Sequence, residues 1–160
     1  MRLGWLLFAY SLVFGIGVVA WSRVLPRTNL TRSLRISLVA MLGVSAGFLL
    51  LNHIGDQPVS LRWSLTVIIA VLIMVESGFT PAALSLLAAT VGPGVGRGAA
   101  MGLYSFLLSL GALAGSLLAG LAGERWAIDG LIYVTFGLAL LAVGLLARLE
   151  PARVVAPETQ

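Results

Sequence analysis

Long apolar runs separated by short charged loops constrain this chain more than any other feature. A helix needs about 20 mostly apolar residues to cross a bilayer. Five runs approach or exceed that length, at 3–21, 36–52, 63–89, 98–122 and 131–147. The fourth holds no charged residue at all. In lipid every backbone polar group must be satisfied internally, so runs of this kind fold as helices. No loop is long enough for a soluble domain. The expected fold is therefore an all-α membrane protein of five transmembrane helices over residues 1–148, with a disordered cytoplasmic tail at 149–160. The first run could alternatively be a signal peptide, with Arg2, an apolar stretch and Val18-x-Ala20. It is longer than a usual signal core, and the arginines crowd its far side.

Composition agrees. The chain is 59% hydrophobic and 10% charged, whereas soluble domains run at about 25% charged. The absence of cysteine excludes disulfides and thiol chemistry, and one histidine with six acids leaves little for a metal site. Neither a metal nor a cofactor is expected. All the basic residues are arginines, and the net charge of +4 would suit nucleic acid if they were clustered. They are spread over the loops flanking the runs, which is a topology signal. Arg23, Arg27, Arg32 and Arg35 form a basic loop after the first run. Arg97, Arg148 and Arg153 fall on the same side, and Arg2, Arg62 and Arg125 on the other. The positive-inside rule puts the C-terminus in the cytoplasm and the N-terminus outside, in a multi-pass protein of the cytoplasmic membrane.

Glu76 is the outstanding chemical feature. It stands in "VESGFTP", near the middle of the third run. A charge near the bilayer centre costs roughly 2.5–3.5 kcal/mol on insertion scales, so intramembrane acids face a cavity or a partner. No basic residue lies in the core of any run. Glu76 is thus a candidate for proton coupling or cargo binding, or it simply hydrogen-bonds neighbouring hydroxyls and backbone. Gly78 and Pro81 follow within a turn or so. Pro81 has no N–H, so the Ser77 carbonyl loses its helical donor. A helix break is expected there, with Ser77 and Thr80 able to satisfy the freed backbone groups.

The fourth run carries small residues at helical spacing. Gly102, Ser105, Ser109 and Gly120 fall on one face, and Gly111 and Gly115 form a GxxxG pair on the other. Small faces let helices approach closely, so Gly102, Gly111, Gly115 and Gly120 are expected to pack against neighbours. The stretch at 92–98, "GPGVGRG", lacks the lysine of a phosphate loop and reads as a tight turn. Trp5, Trp21, Trp63 and Trp126 lie near the expected interfaces, and His53 at the outer end of the second run.

Several of these stretches resemble the C-terminal half of major facilitator superfamily transporters. The carriers are Gly78-Phe79 with Pro81-Ala82-Ala83, Arg97-Gly98, Ala100-Met101-Gly102-Leu103-Tyr104-Ser105, the Gly111/Gly115 pair and "AIDGLIY". The first run and its basic loop resemble the stretch linking that family's eighth and ninth helices. One departure is visible: Ser22-Arg23 stands where the family's loop pattern carries Asp-Arg. The resemblance implies a partial bundle, five helices of a twelve-helix permease of two six-helix halves. It implies a small-molecule substrate and a missing N-terminal half, on the same chain or a split partner. Helices one, three and four would line a central cavity, and helices two and five would face lipid. Tyr10, Ser11, Thr80, Ser105 and Ser109 would be cavity residues beside Glu76. The other reading is a membrane module that assembles through its glycine faces and transports nothing.

Overall fold

The computed structural model describes residues 2–55, 58–90 and 96–148, and these are helical almost throughout, with no strand among them. Helix α1 spans Arg2–Val24, and a single 3-10 turn, Leu25–Arg27, carries Pro26. Helix α2 spans Leu30–His53, α3 Val59–Glu76, α4 Phe79–Thr90 and α5 Arg97–Arg148. Among the described residues, four stretches are long and apolar enough to cross a membrane: Phe8–Arg27, Leu30–His53, Val59–Thr90 and Met101–Arg148.

The fourth stretch differs from expectation. The sequence reading separates spans at 98–122 and 131–147 by a loop, yet α5 runs through both as 52 residues. At 1.5 Å per residue such a helix would be more than twice the thickness of a hydrocarbon core of about 30 Å. It is not straight. Trp126 (φ −129°, ψ 15°) and Ala127 (φ 50°, ψ −131°) leave helical geometry. Ala127 is the one described non-glycine residue with positive φ. The chain doubles back there, bringing Gly130 onto the Ala122 carbonyl, where a Cβ would clash. The reversal yields two arms, 97–125 and 128–148, and needs two residues where a loop of eight was expected.

Other boundaries also move outward. Helix α2 begins at Leu30, not 36, because the Asn29 side chain caps it, accepting from Thr31 N at 3.0 Å and Arg32 N at 3.4 Å. The expected basic loop is therefore mostly helix. Arg23 ends α1, Arg27 ends the 3-10 turn, and Arg32 and Arg35 occupy the first turns of α2, all four exposed. The expected tail at 149–160 and most of the glycine-rich turn lie outside the described residues.

Helices α1, α2 and α3–α4 pack together, and the second arm of α5 packs on α2. At the arginine-rich end Leu25, Leu34, Leu38, Ala82 and Leu146 form one apolar cluster. Deeper, Val44, Ile69 and Ile73 form another, flanked by Val13 and Phe14. Close approach of α2 to α3 depends on Gly43 and Gly47. A Cβ at Gly47 would stand 2.7 Å from Ile69 Cγ1, and one at Gly43 3.1 Å from Leu72 Cδ1. Small residues at such crossings are how membrane helices gain van der Waals contact when lipid supplies no hydrophobic drive between them. The outward faces are aliphatic, with Val67, Leu117 and Leu141 each about three-fifths exposed. A surface of that kind is at home in lipid and not in water.

Candidate functional site

The break in the third span determines the site. Helix α3 ends at Glu76, Ser77 and Gly78 form a turn, and α4 begins at Phe79. Pro81 lies in the first turn of α4, where a missing N–H costs no intrahelical bond. The Gly78 N–H turns to the Val75 carbonyl at 3.3 Å instead of reaching Met74. Side chains satisfy what the turn frees. The Met74 carbonyl accepts from Trp21 Nε1 at 3.0 Å and from Ser77 Oγ at 2.7 Å. The Val75 carbonyl accepts a second bond, from Ser37 Oγ at 3.1 Å. Ser37 and Ser77 are fully buried.

Two glycines let these donors in. A Cβ at Gly17 would stand 2.9 Å from the Met74 carbonyl oxygen, and one at Gly78 would run into the Trp21 indole. Helix α1 thus lies directly on the break. Ser77 acts as the sequence implies, whereas Thr80 is exposed and takes no part. Trp21, read from sequence as an interfacial anchor, instead packs half-buried against the turn.

Glu76 projects from this braced turn into an open cleft of about 220 Å³. Tyr10 of α1, Ser45 and Phe48 of α2, and Ile132 and Thr135 of the second arm of α5 stand around it. The Glu76 Oε2 atom is buried and has no hydrogen-bond partner among the described residues. Tyr10, Phe48 and Ile132 also border a larger cleft of about 580 Å³, whose walls include Ile73 and Asn52. The two volumes are neighbours with these three residues as common walls, and the larger extends toward the end of the molecule opposite the arginines. There Asn52 Nδ2 donates to Asp129 Oδ1 at 2.8 Å, and His53 Nε2 lies 3.5 Å from Asp129 Oδ2. His53, taken from sequence as a solvated interfacial residue, is exposed and joins α2 to the second arm of α5.

Of the expected cavity residues, Tyr10 alone shares the cleft with Glu76. Ser11 borders a separate groove on α1 with Leu12 and Ile16. Ser105 and Ser109 are exposed on the first arm of α5, where Ser109 Oγ bonds its own helix at the Ser105 carbonyl, 2.9 Å away. The expected helix roles are likewise rearranged. Helix two and the second arm of α5, placed against lipid by the resemblance, wall the cleft, and the fourth span does not reach it. Gly102, Gly111, Gly115 and Gly120 have nothing within 4 Å of a would-be Cβ, so no described residue packs on them. Among the described residues the close-packing glycines are Gly17, Gly43, Gly47, Gly78 and Gly130 instead. Ser45, Phe48 and Thr135 were missed as cleft residues because they lie on helices assigned outward. No group of His, Asp and Glu among the described residues could hold a metal ion.

Comparison with known proteins accords with this architecture. No curated protein and no solved structure matches the chain. The family model of the Major Facilitator Superfamily matches residues 1–160, the whole sequence. Apolar membrane-length helices, a broken third span carrying a carboxylate, and that full-length match lead to one conclusion: the chain belongs to the Major Facilitator Superfamily of membrane transporters.

Proposed function

We propose that the chain forms part of the solute pathway of a secondary transporter in the cytoplasmic membrane, with Glu76 as the group that couples to a proton or engages the cargo. One observation carries the proposal. A carboxylate at a helix break lines an open cleft, and its buried Oε2 has no hydrogen-bond partner among the described residues. An uncompensated polar group in hydrocarbon costs several kcal/mol, so such an arrangement persists where cargo or a proton completes it. The pathway's other wall would come from a six-helix half on the same or a partner chain.

The test is reconstitution in liposomes, together with any polypeptide that co-purifies from the native membrane. Counterflow is then measured for glucose, leucine, citrate and phenyltrimethylammonium. Saturable movement of at least one probe, cut tenfold or more in Glu76→Gln, is expected. Movement that Glu76→Gln leaves unchanged, in rate and in pH dependence, overturns the role of Glu76. A second reading rests on the first arm of α5, whose glycines stand open. On it the chain is an assembly module, and a folded, oligomeric protein that moves no probe would support it.

A further inference from the structure

The geometry points to an organic monocation with an apolar body as the cargo of this cleft, its charge held by Glu76 and its body by the aromatic and aliphatic walls. This inference rests on the reading of Glu76 as a pathway residue and specifies what that pathway takes.

The polar inventory of the cleft decides the class. Beyond Glu76 and Tyr10, each hydroxyl in its walls spends its one donor proton on its own helix and keeps only acceptor lone pairs free. Ser45 Oγ donates to the Met41 carbonyl at 3.0 Å and Thr135 Oγ1 to the Leu131 carbonyl at 3.0 Å. In the larger volume Thr66 Oγ1 donates to the Arg62 carbonyl at 2.8 Å, and Asn52 is engaged by Asp129. A sugar or other polyhydroxylated solute could donate to these oxygens but would meet few donors for its own, and would lay most of its polar surface on apolar side chains. An anion would meet Glu76 with no basic side chain in the walls to offset it. A single positive charge answers the carboxylate of Glu76, the one acidic side chain in the walls.

The walls suit the rest of such a molecule. Tyr10 and Phe48 border both volumes. Aromatic faces attract a cation within about 6 Å of the ring, more strongly where water is excluded. The 580 Å³ volume has the size of a small-molecule site, typically about 300–1,000 Å³ and mostly apolar. A charged head would sit at Glu76 and an apolar body would extend along Phe48 and Ile132 toward Asn52.

The test is equilibrium binding in lipid nanodiscs, which requires no translocation. The probe is radiolabelled phenyltrimethylammonium, and tert-butylbenzene, identical in shape but uncharged, is the competitor. Saturable binding of the cation is expected, weakened tenfold or more in Glu76→Gln and largely retained in Glu76→Asp. Replacing Phe48 by Leu should weaken it several-fold. The uncharged isostere should compete at least tenfold less well, and equally in wild type and Glu76→Gln. Cation binding unaffected by Glu76→Gln in protein whose helical content and melting are unchanged would overturn the inference, as would equal competition by the isostere. Glu76-dependent binding without counterflow would leave the cargo site standing and remove the transport reading. Counterflow of glucose or citrate, but not of the cation, would do the reverse.

Discussion

Gly17→Ala should destabilise the chain, and Gly15→Ala should not, although the two lie on the same helix two residues apart. A Cβ at Gly15 meets nothing within 4 Å, whereas one at Gly17 stands 2.9 Å from the Met74 carbonyl oxygen and 3.0 Å from Met74 Cα. The obstacle is backbone, so it cannot swing away, and α1 must move off the break. Overpacking of this kind costs about 1–3 kcal/mol. The shift also weakens the bonds that meet at Met74, from Trp21 Nε1 and Ser77 Oγ, and such bonds average about 0.6 kcal/mol in membrane proteins. Replacing glycine by alanine in a helix returns up to about 1 kcal/mol through propensity, and does so equally at both sites. Gly17→Ala is therefore expected to lose about 1–3 kcal/mol net, and Gly15→Ala to be neutral or slightly stabilised. Unfolding by SDS in mixed micelles, followed by far-ultraviolet circular dichroism, measures both. A Gly17→Ala protein as stable as Gly15→Ala would refute the packing of α1 on the break.

Two smaller predictions test the reversal in α5 and the far end of the crevice. Ala127→Gly should raise stability by about 1 kcal/mol in the same assay, because Ala127 holds a φ of 50° that glycine adopts without strain. Asp129→Ala should cost no more than about 1 kcal/mol, since it removes an exposed hydrogen bond to Asn52 and an exposed pair with His53. It should leave phenyltrimethylammonium binding within a few-fold of wild type, which the nanodisc assay reads directly.

Some of this was open to view in the sequence and some was not. Hydropathy identified the membrane class because apolar length is a one-dimensional property. The coincidence of Glu76, Gly78 and Pro81 located the break because proline chemistry is local. Helix ends were trimmed for the converse reason: Thr31, Arg32, Ser33 and Arg35 are too polar for a hydropathy window, yet Asn29 caps the helix that carries them. The reversal at Trp126–Ala127 has no glycine or proline of its own, and the nearest signals were Gly123, three residues before it, and Gly130, three residues after. The glycine stripe of the first arm of α5 finds no neighbour among the described residues, because a small face says only that a close approach is possible. Gly43 and Gly47 have a neighbour and Gly111 and Gly115 do not, and that depends on which helices tertiary packing brings together. The cleft residues Ser45, Phe48 and Thr135 were missed for the same reason.

The central claim is that Glu76 faces a crevice that solutes can enter, walled by α2 and the second arm of α5. The chain contains no cysteine, so single cysteines can be introduced without first removing any. The direct measurement is the rate at which a charged, membrane-impermeant methanethiosulfonate labels Phe48→Cys, Thr135→Cys and Leu117→Cys in open native-membrane vesicles. Rapid labelling at 48 and 135, both cleft-lining and exposed, slowed by phenyltrimethylammonium, with position 117 unreactive, is the predicted result. Unreactive cysteines at 48 and 135 beside a reactive one at 117 would contradict the account.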